Sequence, residues 1–385
     1  MNRLLEAFEA NFAAGLEVGA SVSVFHKGHE ICSLHGGFCD SDRTAPWDKN
    51  TLSLVWSATK GPSSSCVLHA MQAAKVDLTM RVAEFWPEFA TGGKEEITLA
   101  HILSHRAGLC ALDSTSATAF DRASVIAAIE SQPPVAPIGT HSAYGPRIYG
   151  YLIDEIVRRL AEGEPLGDYW RRVFADPLGL DFWIGLPRQE HHRVATMLSA
   201  RIDELPAQAS DTFAKAFADP SSLTRRAFAC PRGLGGVASM NTPPYREAHF
   251  PAMGGIGSAS ALARFYSILA EECSGRDDGI FMSTTRGWLN SRLVQGVDRV
   301  LQKEMAFAAG FMMDPLDGAG QKIRQLLGPT TSAFGHAGAG GGLAFADPEH
   351  RIGFAYVMNK MEPGVLPGKR CLSLVEAAYQ DLVEY

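Results

Sequence analysis

Alternation of apolar and polar positions first appears between residues 20 and 35. Residues 20–25 and 30–35 both alternate, and the His-Lys-Gly-His segment between them is typical of a tight turn. These patterns predict an antiparallel hairpin. The preceding residues follow a helical period, which predicts an amphipathic helix with an apolar face made of Leu4, Leu5, Phe8, Phe12 and Leu16.

The period changes again near residue 51. An apolar stretch at residues 51–56 predicts a strand, and a helical pattern begins after it, with Ser57 at the junction. Residues from about 112 to 245 carry many Pro and Arg and few strand signals. Further helices are predicted at residues 98–104, 149–160, 166–174, 260–270 and 371–383, and strands at residues 342–346 and 352–357.

Strands near both ends of the chain, with a mostly helical middle, define the expected fold class. We predict an α/β protein of the α+β type, in which an antiparallel sheet from both chain termini is flanked by helices. Residues 1–111 and 246–385 would form this α/β region, and residues 112–245 an inserted helical region. A chain of 385 residues also exceeds what one core usually supports, which favours two packed regions.

Composition and charge exclude several functional classes. Hydrophobic residues make up 46% and charged residues 20%, which indicates a folded globular protein rather than a disordered one. A net charge of −7 without a basic block argues against nucleic-acid binding. The sequence contains no run of 18 apolar residues, so it predicts no transmembrane helix. The first residues lack the apolar stretch of a signal peptide, and the seven scattered cysteines form no C-x-x-C pair. We therefore expect reduced thiols in a cytoplasmic protein.

Several common catalytic motifs are missing from the sequence. It contains neither the G-x-S-x-G of α/β-hydrolases nor the phosphate-binding G-x-x-x-x-G-K-[ST]. His101 and His105 have a spacing compatible with a metal, but the glutamate of H-E-x-x-H and a third ligand are not apparent. We predict no metal site and no cofactor.

One motif indicates nucleophilic catalysis. Ser57-Ala58-Thr59-Lys60 is an S-x-x-K motif, and no other lysine of the chain has a serine three positions before it. If Ser57 opens the helix, Lys60 lies one turn later on the same face. A serine hydroxyl needs a neighbouring base, and a lysine can be that base only if desolvation or nearby positive charge lowers its pKa. Pro62 leaves the start of the helix open, because it lacks a backbone donor.

Two other segments could complete a site. The sequence Gly-His-Ala-Gly-Ala-Gly-Gly-Gly at residues 335–342 precedes an apolar run. Such glycines either let a substrate approach main-chain N–H groups or form a tight turn between strands. Tyr144 stands between a turn signal at residues 137–139 and the helix predicted from residue 149, where it would relay a proton or simply pack as an aromatic.

These three segments, in this order and spacing, resemble the serine β-lactamase and penicillin-binding-protein superfamily. The resemblance is closest to the class C-like branch, with its family VIII carboxylesterases and related acyltransferases. It covers most of the chain and implies a β-lactamase-like fold. Other similar segments are Ile97-Thr98-Leu99, Leu103-Ser104-His105, Gly108-Leu109, residues 343–348 and Tyr356-Val357-Met358-Asn359.

The resemblance implies a role for each matching residue. Ser57 would be the acylated nucleophile, Lys60 its general base, and Tyr144 the residue that passes a proton to the leaving group. His336-Ala337-Gly338 stands where the lactamases have Lys-Thr-Gly, which places His336 and Gly338 beside the substrate. The backbone N–H groups of Ser57 and Ala339 would form the oxyanion hole, each donor contributing about 3 kcal/mol.

Two departures from the family pattern favour an esterase. The second motif reads Tyr144-Gly145-Pro146, so it lacks the asparagine amide that would contact a β-lactam side chain. His336 replaces the lysine of the third motif, so no permanent cation is available for a substrate carboxylate. We predict a serine hydrolase that cleaves small carboxylic esters, with short acyl chains, through a Ser57 acyl-enzyme.

Other functions remain as alternatives at this stage. An acyltransferase would use the same acyl-enzyme with a hydroxyl or amine as acceptor. A β-lactamase, a D-amino-acid peptidase and a non-catalytic scaffold of the same fold are less favoured, because Ser57, Lys60 and Tyr144 are all present while the lactam-binding groups are not. The sequence leaves the physiological ester and the oligomeric state open.

Overall fold

The computed structural model describes residues 1–200, 211–275 and 279–383. In these ranges the strands form two antiparallel sheets. The strands are β1 (Gly19–His26), β2 (His29–Gly37), β3 (Ser53–Leu54), β4 (Phe182–Ile184), β5 (Gly255–Gly257), β6 (Val294–Val297), β7 (Glu304–Phe307), β8 (Met312–Met313), β9 (Phe334–Ala337), β10 (Leu343–Asp347) and β11 (Ile352–Met358).

Helices surround the larger sheet and fill the middle of the chain. They are α1 (Asn2–Ala13), α2 (Lys60–Ala74), α3 (Leu99–Leu103), α4 (Arg122–Ser131), α5 (Ile148–Leu160), α6 (Leu166–Trp170), α7 (Asp176–Leu178), α8 (Thr212–Ala218), α9 (Leu223–Ala229), α10 (Val237–Met240), α11 (Pro243–Glu247), α12 (Ala259–Cys273), α13 (Ser283–Leu289) and α14 (Lys369–Val383). Single 3-10 turns at Trp56–Thr59, Val82–Glu84, Pro87–Phe89 and Arg188–Arg193, and a π-helical turn at Arg171–Ala175, complete the regular structure of the described residues.

The larger sheet joins both ends of the chain. Its strand order is β2-β1-β11-β10-β9-β8-β7-β6, and β1 pairs with β11 so that Ala20 lies opposite Met358. This arrangement confirms the predicted α/β fold with an antiparallel sheet from both termini. Strands β6 to β9 were not predicted, because two to four residues are too few to show a period of two.

The predicted hairpin is confirmed as β1 and β2. Lys27 and Gly28 connect them with φ values of 51° and 82°, the left-handed pair that a two-residue hairpin turn requires. The prediction for α1 is partly wrong. Leu4 and Phe8 are buried, but Leu5 is 40% exposed and Leu16, which lies beyond the end of the helix, is 43% exposed. The helix packs on α14 and β2 through a narrower stripe than the sequence indicates.

The strand predicted at residues 51–56 is shorter than expected. Only β3 is extended, and it pairs with β5 in the three-stranded sheet. At Trp56 the backbone adopts a left-handed φ of 48°, which turns the chain out of the strand and into the Trp56–Thr59 3-10 turn. Such a conformation is costly for a large residue and persists only where the surrounding structure imposes it.

Helix α2 lies in the interior of the molecule and is buried almost all round. Its three consecutive serines are nevertheless satisfied. Ser63 Oγ donates to Pro251 O at 2.7 Å, Ser64 Oγ lies 2.7 Å from the Tyr149 hydroxyl, and Ser65 Oγ donates to Gly61 O at 3.2 Å. Because buried polar groups require partners, these bonds let a helix with polar residues occupy the core.

The middle of the chain is mostly helical where it is described. Helices α4 to α10 and the short strand β4 fall within residues 112–245, and α11 extends two residues past 245. The proposed boundaries of this region stay a prediction. None of the described helices is long and apolar enough to cross a membrane. The seven cysteines are free thiols, and the cytoplasmic location stays a prediction.

Asn359 connects the end of β11 to the first hairpin and offers a test of the sheet. Its Oδ1 accepts from Gly19 N at 2.9 Å, and its Nδ2 donates to Phe38 O at 3.0 Å. Replacing Asn359 by Leu leaves two buried backbone groups unpaired, so we expect the free energy of unfolding to fall by about 2–4 kcal/mol. Urea denaturation measures this change. Asn50→Leu, on an exposed loop, is the control and should stay within about 0.5 kcal/mol of the wild type.

Candidate active site

Ser57 lies on the 3-10 turn that precedes α2. The α-helix begins at Lys60 and not at Ser57, which corrects the expectation that Ser57 opens it. A 3-10 turn contains three residues, so side chains at i and i+3 are aligned, and Lys60 Nζ lies 3.4 Å from Ser57 Oγ. Pro62 is the third residue of α2, within the first turn, where a missing N–H is tolerated.

The Lys60 amine is enclosed by protein. Nζ donates to Ala252 O at 2.8 Å and to Pro146 O at 3.1 Å, and the residue is fully buried. Burial lowers the pKa of Lys60 well below that of an ordinary lysine, because the charged form loses its hydration. A neutral amine has two N–H groups and one lone pair. When the two carbonyls take the N–H groups, the lone pair is left for the Ser57 hydroxyl.

Tyr144 is the second neighbour of Ser57. Its hydroxyl lies close enough to the Ser57 side chain to interact with it, and Lys60 Nζ lies 4.8 Å from the centre of the Tyr144 ring. Burial raises the pKa of Tyr144 above its ordinary value. The phenol therefore keeps its proton at neutral pH and is suited to donate it.

Asp298 holds the backbone of Tyr144 and was not indicated by the sequence. The Tyr144 N–H donates to Asp298 Oδ2 at 3.0 Å, across a sequence separation of 154 residues. Val300 N and Leu301 N donate to Asp298 Oδ1 at 2.9 and 2.8 Å. The buried carboxylate thereby ties the loop that carries Tyr144 to the segment before β7. No local pattern marks an aspartate whose partners are distant backbone groups.

His105 is a further member of the site that the catalytic prediction did not include. Its ring packs against Tyr144, Tyr149 and Phe307, with centroids 4.8, 4.6 and 4.9 Å away, and its Nδ1 accepts from Gly145 N at 3.3 Å. Burial, and then Lys60, lowers the pKa of His105 well below its ordinary value, which keeps the ring neutral.

His101 has a different role, although it lies four residues before His105. Its Nδ1 accepts from Thr98 N at 3.2 Å, in a capping box at the start of α3. One histidine of the pair therefore caps a helix while the other packs beside Tyr144.

His336 is a neutral residue of β9. Its Nδ1 lies 2.7 Å from Ala337 O, so Nδ1 carries the proton and Nε2 the lone pair. Burial, and then Lys60, lowers the pKa of His336 to about 3. Its ring lies 6.0 Å from that of Tyr144. The third motif thus brings an uncharged hydrogen-bond acceptor to the site, in place of a cation.

Residues 338–342, which we call the glycine turn, connect β9 to β10 beside the 3-10 turn that carries Ser57. A Cβ on Gly338 would lie 2.4 Å from Val55 O, so only glycine permits this approach to the residue before Trp56. The turn is closed by Gly338 N, which donates to Gly342 O at 2.7 Å. In the described part of the chain neither Ser57 N–H nor Ala339 N–H donates a hydrogen bond, and both residues are half-buried. These two amides are thus available to an oxygen atom of a substrate.

Comparison with known proteins identifies the family of this chain. The Beta-lactamase family model matches residues 8–374, so the chain belongs to the Beta-lactamase family, as the sequence motifs predicted. It is a serine hydrolase of the β-lactamase fold. The chain is 28% identical over 365 residues to the Esterase/beta-lactamase LipL of Mycobacterium tuberculosis, covering 93% of this chain and 81% of LipL.

Two solved structures are similar over nearly the whole chain. A penicillin-binding-protein homologue from Caulobacter crescentus has a TM-score of 0.85 and 34% identity, covering 98% of this chain and 96% of the homologue. A family VIII carboxylesterase has a TM-score of 0.84 and 31% identity, again covering 98% and 96% of the two chains.

The contact of Gly338 with Val55 can be tested by adding one methyl group. Gly338→Ala should push β9 away from the 3-10 turn and slow modification of Ser57 by a fluorophosphonate by about tenfold or more, because small displacements at a reacting centre have large effects. Gly342→Ala is the matched control, since its nearest neighbour would be Tyr356 O at 3.5 Å, an ordinary contact. Equal labelling rates in the two variants would contradict the assigned contact.

Proposed function

We propose that this protein is a carboxylesterase that acts through an acyl-enzyme on Ser57. The observation that carries the proposal is the Lys60 amine, held by two backbone carbonyls and directed at the Ser57 hydroxyl. The similarity to a family VIII carboxylesterase and to LipL supports an ester as substrate.

In the first step Lys60 removes the Ser57 proton while Oγ attacks the ester carbonyl. The resulting ammonium has three donors, and three acceptors surround it, namely Ala252 O, Pro146 O and Ser57 Oγ. The negative charge on the carbonyl oxygen is stabilised by the N–H groups of Ser57 and Ala339. Tyr144 donates its proton to the departing alkoxide, the bond to the alcohol breaks, and the Lys60 ammonium restores the proton to Tyr144.

In the second step a water molecule attacks the acyl-enzyme. Lys60 takes the proton of the water, the carboxylic acid leaves, and Ser57 recovers its hydrogen. An alcohol in place of water would give a new ester, which is the acyltransferase alternative. Hydrolysis in the presence of a competing alcohol, with both products quantified, separates the two acceptors.

The charge of the site favours neutral esters. His336 and His105 are uncharged at neutral pH, and Tyr144 keeps its proton. A β-lactam carboxylate would find no permanent cation at the third motif, whereas the carbonyl of an ester needs only the two amides. We therefore place penicillins and peptide C-termini below simple esters as substrates.

Replacement of the nucleophile is the first test of this function. Ser57→Ala should lower the rate of p-nitrophenyl butyrate hydrolysis by at least about a thousandfold, because no other group can form the acyl-enzyme. Ser65→Ala, in the adjoining helix α2, is the control and should keep the wild-type rate, since among the described residues Ser65 Oγ bonds to Gly61 O alone. Equal activity of Ser57→Ala and the wild type would refute Ser57 as the nucleophile.

The pH profile tests the desolvated lysine. A general base with an ordinary lysine pKa would give a kcat/KM that rises about tenfold per pH unit between pH 7 and 9. Because burial lowers the pKa of Lys60, we expect kcat/KM to change by less than about threefold over this range. The Ser57→Ala protein provides the background of hydroxide-catalysed hydrolysis. A tenfold rise per unit after subtraction of that background would contradict a neutral Lys60.

A further inference from the structure

We propose that Arg370 is a positioning residue, which holds the glycine turn so that the Ala339 N–H points toward the reacting oxygen. Arg370 is the second residue of α14, and its side chain is 3% exposed. Its Nη2 donates to Gly340 O at 2.7 Å. The inference rests on the proposed function, because it concerns the oxyanion hole of that reaction.

The glycine turn is fixed on both sides of Ala339. On one side Gly338 lies against Val55 O, with no room for a Cβ. On the other side Gly340 O accepts from Arg370 Nη2 and from Glu362 N, the latter at 3.0 Å. Ala339 lies between these two contacts. Loss of the arginine contact would leave its N–H free to turn away from Ser57.

The guanidinium bonds to the glycine turn through Nη2, while its Nη1 is held by two other segments of the chain. Arg370 Nη1 donates to Lys360 O at 2.9 Å and to Leu16 O at 3.0 Å, and it lies 3.4 Å from Glu17 Oε2. Because the planar guanidinium carries donors on both Nη1 and Nη2, it can make both sets of bonds at once. A lysine has a single nitrogen and cannot span the distance between the N-terminal segment and the glycine turn.

The charge of Arg370 is balanced inside the protein. Glu17 is its nearest carboxylate, Glu362 Oε2 lies 3.9 Å from Arg370 Nε, and the Tyr356 hydroxyl donates to the second oxygen of Glu17. The guanidinium is therefore engaged by one buried carboxylate, one half-buried carboxylate and several carbonyls, and it is not directed at a substrate. Burial raises the pKa of Glu17 to about 7, although Arg370 opposes this shift. Measurements at pH 8 keep the carboxylate mostly ionised.

The test compares Arg370→Lys with the wild type on p-nitrophenyl butyrate at pH 8, with kcat normalised to the number of active sites found by burst titration. We expect kcat to fall by about ten- to a hundredfold with KM within about twofold, because only transition-state binding is affected. Affinity for a trifluoromethyl ketone with the same acyl group should fall by the same factor as kcat/KM. Arg324→Lys is the matched control, because Arg324 Nη1 also donates to a backbone carbonyl, Glu304 O at 2.9 Å in β7, and should leave kcat unchanged.

Glu17→Gln serves as a second, milder variant, in case Arg370→Lys does not fold. It removes the ion pair at Nη1 and should lower kcat per active site several-fold in the same direction. A kcat within error of the wild type in the folded variants, or a loss of ketone affinity no larger than in Arg324→Lys, would overturn the positioning role alone. Ester hydrolysis that survives in Ser57→Ala, or is absent from the wild type, would overturn the proposed function and the positioning role together.

Discussion

The exclusion of water from the Lys60 amine is the constraint on which the rest of the site depends. An amine in water would be protonated at neutral pH and could not serve as a base. Here the amine lies on the first turn of a helix that is buried almost all round, and its N–H groups find backbone carbonyls from two other segments, at Pro146 and Ala252. The fold therefore provides hydrogen bonds without providing hydration. The same arrangement accommodates the ammonium when the proton arrives, so the amine can change its charge without rearrangement of its surroundings.

Among the described residues, none of those that touch Ser57 or Lys60 carries a permanent charge. The Lys60 amine and the Tyr144 phenol lie next to Ser57, the imidazoles of His105 and His336 lie beside the phenol, and burial disfavours the charged form of each. In the reaction that we propose, two backbone amides in so weakly polar a setting would have a larger effect on a developing oxyanion than they would in water. The charged residues that shape the site, Asp298 and Arg370, hydrogen-bond to backbone atoms, at Tyr144 N and Gly340 O respectively. Charged residues thus support the geometry, while the groups next to Ser57 are neutral before a substrate binds.

The parts of the fold and of the site that could be predicted from the sequence are those with a local signature. Ser57 and Lys60 are three residues apart, and the hairpin turn at Lys27 and Gly28 has a distinctive composition. Asp298 and Arg370 could not be found in this way, because each binds main-chain groups whose identity leaves no mark in the sequence. The left-handed conformation of Trp56 was also hidden, since an aromatic residue gives no reason to expect it. The short strands β6 to β9 are defined by their pairing within the sheet and not by a period of their own.

The position of β1 between β2 and β11 has a consequence for biosynthesis. The β1–β2 hairpin emerges early from the ribosome, but the other neighbour of β1 is β11, and Gly19 bonds to an asparagine 340 positions later. At ordinary rates of translation the nascent hairpin waits on the order of tens of seconds for that partner. During this interval one edge of β1 is unpaired, and an open edge of largely apolar residues invites association with other chains. The protein is therefore vulnerable to aggregation while it is still being made, and holding chaperones present during synthesis should favour its yield.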